Sequence, residues 1–135
     1  MKITPVILCG GEGTRLWSNK KKIQPKQFIN FGSWSLLDET FSRIKDPIFD
    51  YPIISTNYKY RNNIKNYLKK YKIKRYKILL EPEKKNTAAA ILTSTFAYLY
   101  KDTINNIDYE NLNNSLLILS SDHYLESKDT FLKQV

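Results

Sequence analysis

Short apolar runs recur along this chain, and each is followed by a polar or glycine-rich segment. The runs are ITPVILC (3–9), YPIIST (51–56), YKILLE (76–81) and SLLILSSDH (115–123). A mostly apolar run of this length, bounded by turn residues, is typical of a strand that is buried on both faces. The pattern therefore predicts four strands.

The segments between these runs carry apolar residues at helical spacing. In chain order these residues are Leu37, Phe41 and Ile44, then Tyr60, Ile64, Leu68 and Tyr71, and then Ile91, Leu92, Thr95, Phe96 and Leu99. At the start of the first segment, Ser35 and Asp38 stand in the pattern of a helix capping box. We expect one helix in each segment and a further one in KDTFLKQV (128–135).

Strands that alternate with helices predict an α/β fold, here a Rossmann-like parallel sheet with flanking helices and right-handed crossovers. Ligands of such sheets bind beyond the carboxyl ends of the strands. The glycines after Cys9, the acid Glu81 and the acid Asp122 all stand at such ends. We therefore expect them to belong to a single site.

The composition fits one globular domain, because the chain has 135 residues, 41% of them hydrophobic and 26% charged. No apolar stretch approaches the ~20 residues that a membrane helix requires, so we expect no membrane partner. The first residues, MKITPVILC, are too short an apolar start for a signal peptide. A single cysteine, Cys9, cannot form an internal disulfide, and we expect it to be a buried residue of a cytoplasmic protein. The only histidine, His123, lacks the companions of a zinc site.

The formal net charge of +9 favours anionic partners, either nucleic acid or phosphorylated small molecules. A general drift of the composition toward lysine explains the charge equally well. The lysine clusters lack an aromatic signature for stacking RNA bases, which argues against nucleic acid.

The loop GGEGTR (10–15) is rich in glycines, which let backbone N–H groups approach phosphate oxygens closely. It is not a dinucleotide fingerprint, because Leu16 stands where a third glycine is required, and no Gly-Lys-Ser/Thr follows for a Walker loop. Many strand-to-helix turns contain two glycines, so the loop alone is weak evidence. With both fingerprints excluded, the remaining interpretation is a phosphate loop in which Arg15 supplies a fixed charge and a bidentate fork.

Three further positions could serve a phosphate site. Lys26 lies in PKQF between Pro25, which stiffens its approach, and an anchoring aromatic residue; such a lysine can offset charge that grows at a reacting phosphorus. Asn86 or Thr87 could be a helix N-cap, a role compatible with binding a ligand at the same helix end. An aspartate at a strand end, Asp122, is better suited to Mg²⁺ than to a hydrolytic triad.

The motifs GGEGTRLW, PKQF, EPEKKNTAAA and SSDH, together with SLLDETFSRI, resemble the mannose-1-phosphate guanylyltransferase family over residues 4 to about 125. The resemblance implies the reaction of GTP with mannose 1-phosphate to GDP-mannose and pyrophosphate, with Mg²⁺ as cofactor. The sugar phosphate would attack in line, so no protein nucleophile is needed.

The resemblance also implies roles for individual residues. The nucleotide and its phosphates would be lined by Gly10, Gly11, Gly13 and Thr14. The guanine and ribose would be bordered by Glu81, Asn86, Thr87 and Ala88. In the same comparison, Arg15 would hold the β and γ phosphates, Lys26 the α phosphate, and Asp122 would ligate Mg²⁺.

The chain also departs from the family pattern. Glu12 stands where a small residue is usual, Ser18 to Lys20 replace a proline-containing stretch, and Ala89 replaces a frequent proline. Family members are also longer, so we expect residues 1–135 to be the N-terminal nucleotide-binding portion, without the sugar-binding half and its second metal-binding aspartate. Two alternatives stay open: a nucleotide-binding module without catalysis, and a pyrophosphorylase for another hexose 1-phosphate. A homo-oligomer is compatible with the sequence.

Overall fold

The computed structural model describes residues 2–11, 24–83, 86–100 and 115–135. Its elements, in chain order, are β1 (Ile3–Cys9), a 3₁₀ turn (Lys26–Phe28), β2 (Asn30–Phe31), β3 (Trp34–Ser35), α1 (Leu36–Arg43), β4 (Ile53–Asn57), a second 3₁₀ turn (Tyr58–Tyr60), α2 (Arg61–Lys70), β5 (Lys77–Glu81), α3 (Thr87–Leu99), β6 (Ser115–Ser120) and α4 (Lys128–Gln134). No helix in these ranges has the length and hydropathy to cross a membrane.

Four of the strands form one parallel sheet in the order β5-β4-β1-β6. β1 lies inside this sheet, and Val6 pairs in register with Ile53 on one side and Ile118 on the other. The predicted parallel α/β fold is confirmed, as are the four strands. The antiparallel hairpin of β2 and β3 was not expected from the apolar pattern, because each of its strands is only two residues long.

The main core lies where α1 and α2 pack against the sheet. Leu37 and Phe41 of α1 and Ile64 of α2 are fully buried, and all three belong to one apolar cluster. Cys9 is also fully buried in this cluster, as predicted. The helical spacing in the sequence therefore marks the buried faces of α1 and α2.

The third helix forms as predicted, but the apolar residues counted for it do not mark its buried face. Leu92 and Phe96 are 58% and 50% exposed, whereas Ala90, Ser94 and Tyr98 are buried. Apolar residues occur all round this helix, so spacing alone does not select a face. Ala90 and Ser94 are small, which allows close packing of α3 on a sheet.

A buried carboxylate joins α1 to α2. Asp38 completes the predicted capping box, since its Oδ2 accepts hydrogen bonds from the backbone N–H and hydroxyl of Ser35 at 2.8 and 2.9 Å. Its Oδ1 accepts from Lys70 Nζ at 2.6 Å and from the Tyr71 hydroxyl at 2.9 Å. Burial raises the pKa of Asp38, but the hydrogen bonds from Lys70, Tyr71 and Ser35 outweigh burial and hold it below 3.8.

We predict that Asp38→Asn lowers the free energy of unfolding at pH 7 by about 1–3 kcal/mol, because it removes charge-assisted hydrogen bonds from a buried site. The native pKa lies below the unfolded value, so the stabilisation is complete above about pH 4 and is lost as the pH falls through the native pKa. Urea denaturation at pH 7 and pH 3 should show the difference between the two proteins shrinking at the lower pH. Asp129→Asn, at an exposed position in α4, is the matched control and should change stability by less than about 0.5 kcal/mol.

Candidate active site

The residues singled out by sequence gather at the carboxyl edge of the parallel sheet. Gly10 follows β1, Glu81 ends β5, and Asp122 lies two residues after β6. β5 and β6 are separated by two strands, so their ends are three spacings of about 4.8 Å apart, or roughly 14 Å. An edge of this length suits an extended ligand better than a single small group.

Glu81 leans across the end of β4 toward β1. Its Oε1 accepts a hydrogen bond from the Ser55 hydroxyl at 2.5 Å, and its backbone carbonyl accepts one from Asn57 Nδ2 at 3.4 Å. A Cβ atom on Gly10 would lie only 3.0 Å from Glu81 Oε2. A side chain at position 10 would therefore require this carboxylate to shift by a few tenths of an ångström. The structure brings Glu81 and Gly10 together, as the sequence predicted for one site.

Lys26 and Asp122 form an ion pair between the 3₁₀ turn and the loop after β6. Lys26 Nζ lies 3.6 Å from Asp122 Oδ2, and the two side chains are 38% and 33% exposed. Phe28, at the end of the same turn, is buried and contacts the rings of Tyr60 and Tyr67, which confirms its anchoring role. The structure thus places the two predicted charges next to each other.

Asp122 is set up to be ionised. Partial burial raises its pKa, but the hydrogen bond that Oδ1 accepts from the Ser120 hydroxyl at 2.5 Å and the charge of Lys26 outweigh this effect. Its pKa therefore lies below 3.8, and the group is a carboxylate at neutral pH. A partly exposed carboxylate is the donor type that Mg²⁺ prefers.

Asp122 by itself is an incomplete metal site. Across the ranges that the structure describes, no group of three or more His, Cys, Asp or Glu side chains could hold a metal ion. Mg²⁺ commonly uses one or two carboxylates together with substrate phosphates and water. Asp122 fits that mode, in which a bound phosphate supplies the other oxygens.

The start of α3 supplies a polar helix end on the same side of the sheet. Asn86 occupies the N-cap position, and its side chain makes no capping hydrogen bond. It is exposed, as are Thr87 and Ala88 in the first turn. The helix starts where expected, while the capping role of the Asn86 side chain is not borne out.

The predicted phosphate-loop residues Gly13, Thr14 and Arg15, and the unexplained Glu12, lie outside the described residues.

Two buried side chains at this edge were missed by the sequence reasoning. Gln27 is 2% exposed and donates hydrogen bonds to the Cys9 and Gly11 carbonyls. Arg43 is 3% exposed and donates from both terminal nitrogens to the His123 carbonyl at 3.3 and 3.2 Å. It thereby ties α1 to the loop that carries Asp122. A polar residue next to Lys26 and a basic residue ending α1 looked ordinary in the sequence, so no pattern marked either one.

No nucleophile is evident among the described residues of this edge. Burial raises the pKa of the Cys9 thiol to about 12, so the group stays protonated at neutral pH. The imidazole of His123 lies 4.0 Å from Asp122 Oδ1, and its side chain is 71% exposed. This arrangement provides position and charge, which is sufficient for a reaction in which one substrate attacks the other.

Sequence comparison finds relatives along almost the whole chain. A mannose-1-phosphate guanylyltransferase of Salmonella montevideo is 34% identical over 134 residues, which are 98% of this chain and 26% of that protein. The xanthan biosynthesis protein XanB of Xanthomonas campestris pv. campestris (strain B100) is 35% identical over 130 residues, which are 96% of this chain and 26% of that protein. The chain thus spans about a quarter of the length of these curated relatives.

Solved structures share the fold. A mannose-6-phosphate isomerase from Helicobacter pylori superposes with a TM-score of 0.67 at 25% identity, covering 99% of this chain and 45% of that one. HddC from Yersinia pseudotuberculosis has a TM-score of 0.66 at 23% identity, covering 97% and 53%. Less than half of the H. pylori chain is matched, so its named isomerase activity is not transferred. The family model described as nucleotidyl transferase matches residues 4–135. The chain therefore belongs to the nucleotidyl transferase family.

Proposed function

We propose that this chain binds GTP and Mg²⁺ and is the nucleotide-binding part of an enzyme that makes GDP-mannose and pyrophosphate from GTP and mannose 1-phosphate. The observation that carries the proposal is the Lys26–Asp122 pair, because the residue next to Lys26, Gln27, bonds the carbonyl of Gly11 after β1. It combines a cation for phosphate oxygens with a carboxylate for a hard metal ion. The mannose-1-phosphate guanylyltransferases among the relatives support the choice of substrates.

Lys26 would act on the α phosphate. When the sugar phosphate attacks in line, negative charge redistributes around the α phosphorus, and a nearby ammonium stabilises that charge. Asp122 would ligate Mg²⁺, which supplies charge neutralisation for the triphosphate when bound. The ion pair of 3.6 Å holds each charged group in place for its phosphate or metal partner.

Glu81 would face the base. A carboxylate accepts hydrogen bonds, and guanine offers a ring N–H and an exocyclic amino group as donors. The hydrogen bond from Ser55 fixes one oxygen of this carboxylate, which leaves Oε2 facing Gly10 and the site. Asn86, Thr87 and Ala88, at the exposed start of α3, would border the ribose and base. Roles for Gly11, Gly13, Thr14 and Arg15 in binding the phosphates rest on the sequence motif.

The experiment compares two proteins with GTP, mannose 1-phosphate and Mg²⁺. One is the 135-residue chain, and the other is a chimera in which this chain replaces the aligned 134 residues of the Salmonella montevideo relative. GTP binding is measured by calorimetry, and turnover is measured by pyrophosphate release. We expect both proteins to bind GTP and the chimera to release pyrophosphate.

The coverage of about a quarter of the relatives favours a second candidate, a nucleotide-binding module that does not turn over unaided. GTP binding by both proteins, with pyrophosphate released by neither, would support that candidate over the enzyme. A chimera that prefers another hexose 1-phosphate would replace mannose 1-phosphate as substrate. If both proteins fold but neither binds GTP nor releases pyrophosphate, the proposed function is refuted.

A cytoplasmic location is part of this proposal and rests on the single buried Cys9.

A further inference from the structure

Gln27 is buried at the point where the glycine loop leaves the sheet. Its side-chain Nε2 donates to the Cys9 carbonyl at 3.3 Å and to the Gly11 carbonyl at 3.1 Å. Both hydrogens of one amide group are thus used on two backbone carbonyls, 18 and 16 residues earlier in the chain. With 2% exposure, Gln27 has little access to water, so these bonds are its main polar interactions at this end.

These two bonds constrain the direction of the loop backbone. A trans peptide points its C=O and the next N–H in opposite directions. Because the Cys9 carbonyl points toward Gln27, the N–H of Gly10 points away from it. Thr56 Oγ1 also donates to the Cys9 carbonyl, at 3.1 Å, so this peptide is held from two sides. Glycine peptides have little intrinsic preference for one direction, so an external anchor is required to hold one.

Gln27 also lies directly beside Lys26 in the 3₁₀ turn Lys26–Phe28. Lys26 reaches Asp122 in the loop after β6, and Gln27 reaches the loop after β1. One short turn therefore carries both a side chain bonded to the glycine backbone and a side chain paired with Asp122.

We propose that Gln27 is a positioning residue, which holds the backbone of Gly10 and Gly11 in a fixed relation to the turn that carries Lys26, so that both contact the same phosphate chain. This inference rests on the proposed function for its ligand, GTP. Gln27 does not touch the nucleotide. It acts through the carbonyls of Cys9 and Gly11, and the first of these sets the direction of the Gly10 amide.

The test uses Gln27→Met, which removes both donors at similar volume, and Gln27→Glu, which keeps the shape but presents oxygens to two carbonyls. Gln24→Met is the matched control, because Gln24 Nε2 donates to the Phe28 carbonyl at 2.8 Å in the same turn, without contacting the glycine loop through that bond. We measure the GTP Kd with Mg²⁺ by calorimetry and the backbone amide order parameters of Gly10 and Gly11 by NMR relaxation, at a temperature where circular dichroism shows each chain folded.

We expect both Gln27 variants to bind GTP at least about tenfold more weakly and the Gly10 and Gly11 amide order parameters to fall to about 0.6 or below. Gln24→Met should stay within about twofold of the original Kd and keep the original order parameters. If a folded Gln27 variant keeps the original Kd and order parameters, the proposal is wrong. If the original chain binds no GTP, the proposed function is in error. In that case the order parameters, which need no ligand, still decide whether Gln27 holds Gly10 and Gly11.

Discussion

Replacing Lys26 by alanine should lower kcat by about 10²-fold or more in the active chimera, with a smaller change in the KM for GTP. The reason is geometric: the ammonium is held on a short turn, 3.6 Å from Asp122, at the carboxyl edge of the sheet. Under the proposed function, a charge placed there would act most strongly on the transition state, in which charge redistributes around the α phosphorus. Pyrophosphate release at saturating mannose 1-phosphate and Mg²⁺ measures both constants.

A control must remove the same charge elsewhere on the protein. Lys65, on the exposed face of α2, provides it, because Lys65→Ala makes the same chemical change on a helix surface. We expect kcat of this control to stay within about twofold of the parent. A Lys26→Ala protein that changes only in KM would show that the ammonium binds the ground state and the transition state equally, which contradicts the proposed role.

Replacing Phe41 by alanine should lower the free energy of unfolding by about 3–5 kcal/mol. Phe41 is fully buried, and its ring stacks against those of Tyr67 and Tyr71 at centroid distances of 5.9 and 5.7 Å. Truncation leaves a cavity between α1 and α2 that rigid neighbouring rings fill poorly. Because domains are stable by only about 5–15 kcal/mol, a loss of this size is a large fraction of the total. Urea denaturation followed by circular dichroism measures it.

Phe96→Ala is the matched control for this change, since Phe96 is 50% exposed on α3. We expect a loss below about 1 kcal/mol, because the removed ring is already half in water and alanine is a better helix former. Equal losses at the two positions would mean that the outer face of α3 is packed as tightly as the core, and would refute the assignment of its exposed side.

The elements that could be predicted from sequence are those whose pattern is local. Phe41 in α1 and Ile64 in α2 each belong to a set of apolar residues at helical spacing, on a helix with one apolar face. The spacing therefore predicts both the helix and its buried side. In α3 the apolar residues surround the axis, and the buried side is selected by small residues such as Ser94, which a count of apolar positions does not weigh. Local pattern therefore predicts the elements better than it predicts how they pack.

The candidate site shows the same division. Gly10, Glu81 and Asp122 were predictable, because each stands at the end of a strand and a parallel sheet collects those ends. Gln27 and Arg43 were not, since their partners are backbone carbonyls far away in sequence, and a carbonyl has no residue identity to recognise. Side chains that support a loop through its backbone leave no motif of their own.

The turn Lys26–Phe28 also limits how the length of this chain can vary. A 3₁₀ helix has about three residues per turn, so its three consecutive side chains point in three different directions. Here Lys26 points to the carboxylate of Asp122, Gln27 to the backbone after β1, and Phe28 to the apolar core. One inserted or deleted residue within the turn would rotate every side chain onto the wrong target. Insertions and deletions should therefore be excluded from this turn among functional homologues.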